Sequence, residues 1–256
     1  MDWLSSIPIP STLVPFIIGA VAVLLRLSIM IFLLPGIGEA GVPVRIRAGV
    51  VIALTAAMVP AIVPTQMVDL STTDILVLFA FEGLIGFALG FSFRVLIYAL
   101  TIAGTIIAFA SSLSQIFGPG LVAEPNPSIS MLLMMAGTAL FVTLDLHTMS
   151  VGLLMQSYDL FPLGNVPDTG ALAEWAMERT AGAFALAVSL ALPFVLINFL
   201  YNIVLGLINQ AMPQVMVTFI GVPANVLAGL FVLGLSIVII LQVWADAAEI
   251  AFRGFW

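Results

Sequence analysis

Few side chains in this chain could do chemistry. Of 256 residues, 7% are charged and 62% hydrophobic. Glu82, Arg94, Asp145 and His147 stand inside long apolar runs. An ionisable group placed there marks an ion or proton site, an interface anchor, or a contact with another helix or subunit. Glu82 and Arg94 would lie roughly 18 Å apart along one straight helix and about a third of a turn apart around it, so they cannot pair with each other. Asp145 and His147, two apart, point to different helix faces and are no ready-made pair. His147 is the only histidine. Histidine as a residue type can serve as a proton relay, but for this one hydrogen-bonded packing is the simpler expectation. Arg26 interrupts the first apolar run near its far end and is expected to snorkel to the membrane interface.

Several classes of function are excluded at once. There is no cysteine, hence no disulfide, thiolate metal site or cysteine nucleophile. A catalytic histidine pair is impossible. Walker A, H-E-x-x-H and G-x-S-x-G patterns are all missing, so no enzyme class, cofactor or metal is expected. A net charge of −7 argues against a nucleic-acid partner.

Uncharged polar and small residues carry a second pattern. Asn198, Asn202, Gly206 and Asn209 fall within an arc of about 80° on a helix. Three amides on one face are costly against lipid, so this face is expected to meet another helix, another subunit or a wet passage. Pro213 and Gln214 follow at the joint where that helix ends. Gly86 and Gly90 form a small-xxx-small pair that lets a neighbouring helix come close. Ala181, Ala185 and Ser189 make a similar strip.

The elements that must position these residues are apolar helices. A soluble domain has roughly 25% charged residues, so this chain belongs in a bilayer or inside an assembly that replaces one, and its architecture is expected to be that of an all-α integral membrane protein. Apolar runs cover 15–34, 48–63, 75–110, 131–150, 181–208 and 215–244, most of them near the ~20 residues that cross a hydrocarbon core. Pro35-Gly36-Ile37-Gly38 stops the first, and Pro193 is expected to kink the fifth. Arg45 and Arg47 vote for a cytoplasmic first connector. The stretch 156–178 is the most polar and reads as a solvated loop leading into an amphipathic helix. The N-terminus lacks a basic region and does not read as a cleavable signal peptide.

Between the third and fourth runs lies SSLSQIFGPGLVAEPNPSIS, residues 111–130. Gly118-Pro119-Gly120 and Pro125-Asn126-Pro127 prevent regular helix, yet Ile116, Phe117, Leu121 and Val122 keep it apolar. Irregular apolar backbone at membrane depth lies against protein or lines a cavity. An ordinary interfacial turn is the alternative.

NFLYNIVLGLINQAMPQVMVTFIGVP, residues 198–223, resembles the LGLLNR-x-APQ…F-x-x-GFP signature of the FliR family of flagellar protein-export components. LLPGIGEAGVPVRIRAGVVIAL resembles that family's early connector, EGLIGFALGF its third segment, and LFVTLDLHTMSVGLLMQSYDLFPLG its F-x-N-G-H…P-x-G region. Order and spacing agree from about residue 33 to 223. Asp145-Leu146 replaces the family's Asn-Gly before histidine. Ala110-Ser111 and Gly118-Pro119 replace a Gln-Gly and an Asp-Pro around the central loop.

The resemblance implies kinked helical hairpins, with residues 1–165 FliP-like and residues 166–256 a FliQ-like hairpin with an amphipathic tail. It implies membership of one hetero-oligomeric gate with FliP-like and FliQ-like subunits in the inner membrane of the flagellar basal body. FlhB-like and FlhA-like export components, unfolded export substrates and membrane lipid would be its further partners. Much of that array would sit above the membrane plane. The central loop, including Ser114, Gln115, Ile116, Phe117, Gly118, Pro119, Gly120, Leu121 and Val122, would plug the pore. A virulence secretion gate is the near alternative. A secondary transporter using Glu82, Asp145 or His147 as ion sites is the distant one, and the chain shows no inverted repeat.

Overall fold

The computed structural model describes residues 13–63, 72–111, 128–212 and 217–254. These form seven α-helices, and there is no strand among the described residues. They are α1 (Leu13–Leu33), α2 (Val44–Ile62), α3 (Thr72–Ala110), α4 (Ser128–Thr143), α5 (Leu146–Leu160), α6 (Thr169–Ala211) and α7 (Val217–Arg253). Five of them (α1, α2, α3, α6 and α7) are long and apolar enough to cross a membrane. The 39 residues of α3, 43 of α6 and 37 of α7 give lengths of about 55–65 Å, nearly twice a ~30 Å hydrocarbon core.

The chain packs as two compact units. One joins the residues up to Arg94 with His147–Met177; the other joins Val95–Leu146 with Glu178–Trp256. Both are discontinuous in sequence.

In the first unit α1 packs on α2. Ala22, Val23, Leu27, Met30 and Ile31 of α1 are fully buried, and their three- and four-residue spacing makes one apolar stripe. Leu78, Ile85, Leu89 and Phe93 of α3 and Leu154 of α5 are buried as well. The turn after α1 uses Gly36 at φ 87°, where a side chain would be strained. At the other end of α2, Val63 is extended at φ −77°, ψ 107°, because Pro64 bars the residue before it from helical angles.

In the second unit α4 packs on α7. The Phe141 ring meets that of Phe252 edge-on at 5.9 Å. Trp244, fully buried, donates its indole N–H to the Leu96 carbonyl at 2.8 Å. The packed face of α6 is Ala183, Ala187, Leu190, Ala191 and Phe194, whereas the strip of Ala181, Ala185 and Ser189 stays exposed. α6 runs through Pro193, and α7 through Pro223, without interruption.

The run expected at 131–150 is two helices rather than one. It breaks at Leu144–Asp145, where Asp145 takes φ 56°. Aspartate tolerates this left-handed angle because its short polar side chain can hydrogen-bond locally. Asp145→Val should therefore destabilise the protein by about 1–2 kcal/mol, while Asp145→Asn should be nearly neutral. Thermal unfolding midpoints of the purified membrane complex would test this, and equal midpoints for the two variants would contradict it.

Candidate functional site

The first unit is built around a buried cation. Arg26 enters on α1 with no solvent exposure and is met by Glu82 of α3, itself 2% exposed. Arg26 Nε donates to Glu82 Oε2 at 2.6 Å and Nη2 to Oε1 at 2.9 Å, a bidentate pair. Nη1 donates to Ser157 Oγ at 2.9 Å and Nη2 to the Phe161 carbonyl at 3.0 Å. The Tyr158 ring lies 3.9 Å from the guanidinium carbon, offering its negative face to the cation. One side chain thus ties α1 to α3, to α5 and to the loop that follows α5.

This corrects two expectations. Arg26 does not snorkel: an unpaired arginine at the centre of an inserted helix costs about 2.5–3.5 kcal/mol, and the Glu82 carboxylate removes the need to escape. The polar stretch from residue 156 does not begin as a solvated loop. Ser157 is fully buried and Tyr158 nearly so; α5 continues to Leu160, and the loop proper is only residues 161–168. Asp168 then caps α6, its Oδ1 accepting from the Gly170 and Ala171 amides at 2.8 and 3.3 Å.

Close approach of α1 and α3 makes the ion pair possible. A Cβ at Gly86 would lie 2.9 Å from Arg26 Cα, and one at Gly90 would lie 3.0 Å from Met30 Cα. The Gly86–Gly90 face therefore meets a helix of its own chain. Arg94, a turn further on, pairs with Glu39 in the α1–α2 connector. Glu82 and Arg94 thus pair with Arg26 and Glu39 respectively and not with each other.

In the second unit the polar groups gather where the central loop leaves and returns. Residues 112–127, which include the expected plug residues Ser114 to Val122, lie outside the described residues, as do Pro213 and Gln214. Their flanks are well anchored. Ser130 at the start of α4 donates to the Thr101 carbonyl at 2.8 Å, and Thr105 donates to Ser130 Oγ at 3.3 Å. Gly104 gives Ser130 room, since a Cβ there would lie 2.9 Å from the Ser130 nitrogen. At the departing end the Ala110 carbonyl accepts from Asn225 Nδ2 of α7 at 3.2 Å. Ser111 is buried against Gly229, where a Cβ would lie 2.5 Å from Ser111 Cβ.

Asn225 also donates to Asn198 Oδ1 at 3.2 Å. Asn202 donates to the same oxygen at 3.0 Å and to the Asn198 carbonyl at 2.8 Å. Asn198 is therefore half-buried inside the second unit. Asn202, Gly206 and Asn209 are exposed, and a Cβ at Gly206 would meet nothing within 4 Å. Asn225 was absent from the sequence reading. It stands 27 positions from Asn198 on a separate helix, so only the fold brings them together. His147 opens α5 with Nδ1 buried and without a hydrogen bond among the described residues. The helix break separates it from Asp145.

Long apolar helices cross-linked by single polar groups define an all-α integral membrane protein. Its class is bacterial protein export. A family profile described as "Bacterial export proteins, family 1" matches residues 17–250, and the chain belongs to that family, the FliR family. It is 29% identical over 235 residues to the flagellar biosynthetic protein FliR of Caulobacter vibrioides, covering 89% of this chain and 91% of that one. It is 29% identical to the Escherichia coli FliR over 81% of this chain and 79% of that one. For the Aquifex aeolicus FliR the identity is 28%, over 94% of this chain and 93% of that one. These relatives and the apolar helices make the chain an inner-membrane component of flagellar protein export.

The buried pair yields a sharp expectation. Arg26→Met alone leaves Glu82 charged and unpaired in a dry site and should cost about 3–5 kcal/mol, whereas Arg26→Met with Glu82→Leu removes both charges and should recover most of that. Yield of folded protein by size-exclusion profile reports it. Equal losses in the single and double variants would show that the pair is not what holds α1 to α3.

Proposed function

We propose that this chain helps to form, and to close, the pore through which unfolded flagellar subunits leave the cytoplasm. FliP-like and FliQ-like subunits would complete the gate in the basal body, beside FlhB-like and FlhA-like components. The carrying observation is the apolar, helix-breaking stretch Ile116 to Val122 set between helices whose ends are anchored on both sides. A pore wide enough for an unfolded chain leaks ions unless blocked, and an apolar constriction gates by dewetting. Gly118, Pro119 and Gly120 supply a bend without bulk.

The exposed strip of Asn202, Gly206 and Asn209 suits contact with a neighbouring subunit's helix. Amides are poorly placed against lipid, and Gly206 leaves space for a backbone to come close. The flagellar names of the relatives favour a flagellar gate over a virulence gate. A transporter reading loses its best ion site, because Glu82 is bound up with Arg26.

Two measurements test this function. Deleting Ile116 to Val122 should leave assembly intact, since the anchoring residues lie outside the deletion, and should raise uptake of a normally excluded solute in cells making the gate. Full assembly without added leak returns the loop to an interfacial turn. Separately, Asn202→Leu should lower the yield of assembled complex and motility together. Unchanged yield and motility would remove the strip from the subunit contact.

A further inference from the structure

Three asparagines and one carbonyl form a continuous path through the second unit. Asn202 is exposed on α6 and donates to Asn198; Asn198 Oδ1 accepts at once from Asn202 at 3.0 Å and from Asn225 at 3.2 Å; Asn225 of α7 donates onward to the Ala110 carbonyl at 3.2 Å. A side-chain amide nitrogen carries two hydrogens, so the links of Asn225 to Asn198 and to Ala110 can be made together. The Ala110 carbonyl is among the last of α3, where a helix has no amide of its own to bond. Asn225 takes that role from another helix. It is 5% exposed and sits beside Ser111, Phe194 and Gly229.

We infer that this path couples the exposed strip of α6 to the end of α3, so that a helix docked on Asn202 sets how firmly Asn225 holds the Ala110 carbonyl. The occupant is a helix of a neighbouring gate subunit that offers hydrogen-bonding groups. Lipid tails offer none, and Gly206 leaves room for a second backbone. This rests on the reading of the strip as a subunit contact. A partner helix packed on Asn202 holds its carboxamide in place, so Asn198 Oδ1 keeps both of its donors and stays oriented toward Asn225. Without the Asn202 amide the Asn198 carboxamide is free to turn, and Asn225 loses that acceptor. Linkage makes the effect reciprocal: whatever loosens the end of α3 also changes the affinity of the strip for its partner. Asn225 is thus a positioning residue that acts on the departing end of the central loop without belonging to it.

The chain contains no cysteine, so Ser111→Cys places a unique thiol at a buried site in contact with Gly229. The experiment measures the rate at which a small maleimide labels this thiol in membranes containing the assembled gate. Asn225→Leu keeps the volume but removes both donors. It should raise the rate about fivefold, the effect of losing one buried hydrogen bond on a local opening equilibrium. Asn202→Ala, scored only in the purified assembled fraction, should raise it about twofold by the same reasoning. Should Ser111→Cys disturb packing, hydrogen exchange of the Ser111 amide, which donates to the Ile107 carbonyl at 2.9 Å, reads the same opening. An unchanged rate in the Asn225 variant overturns the latch. A raised rate there with none in the Asn202 variant overturns the coupling. A raised rate with Asn225→Ala but not Asn225→Leu assigns the effect to packing and overturns the hydrogen-bond path. Solute uptake after deletion of the loop is a separate readout, so failure of the plug would not be mistaken for failure of the coupling.

Discussion

Hydrocarbon offers no hydrogen bonds, and this one constraint organises the chain. A polar group that enters an apolar helix is costly unless protein answers it. Arg26 is answered by a carboxylate, a hydroxyl, a carbonyl and a ring face. Trp244, Ser130 and Asn225 are answered by carbonyls of α3, at Leu96, Thr101 and Ala110. Apolar packing between helices is weakly selective when the surrounding solvent is itself apolar. Polar links supply the selectivity, because each has only one geometry that leaves no donor stranded.

The same constraint explains how α3 serves both packing units. Up to Arg94 it contributes glycines and a carboxylate, and α1 lies against it closely enough for Arg26 to be reached. From Val95 onward it contributes backbone carbonyls, Gly104 and a helix end, and the partners are α4 and α7. α6 shows the opposite balance. It buries a narrow stripe and leaves Phe199, Leu200, Ile203, Val204 and Leu207 exposed beside its amides. A surface of that mixed kind is suited neither to water nor to lipid alone.

Helices were legible from hydropathy and from breakers, because both are local properties. The glycine-marked stop after α1, the proline-marked stop of α2 and the long continuous α3 all follow from neighbouring residues. The break at Asp145 was less visible, since aspartate is one of the few residues that tolerate a left-handed turn without announcing it as glycine does. Non-local facts were out of reach. Arg26 and Glu82 are 56 positions apart, and nothing in either segment names the other, although two opposite lone charges in apolar runs were a usable hint. Ser157 and Tyr158 were hidden by the acidic, proline-rich residues that follow them. The buried stripe of α6 was not legible, because alanines occur on both of its sides and spacing alone does not say which faces the core.

Ser111 leaves α3 against Gly229, and the chain returns at Ser130 against Gly104 of the same α3. Positions 104 and 111 are about 10 Å apart along a helix axis. Departure and return therefore rest on one rod, and the entropy of closing the intervening segment changes only slowly with its length. Small changes in length between the two anchors should therefore cost little stability, while the contacts of Ser111 and Ser130 keep the ends of α3 and α4 in register.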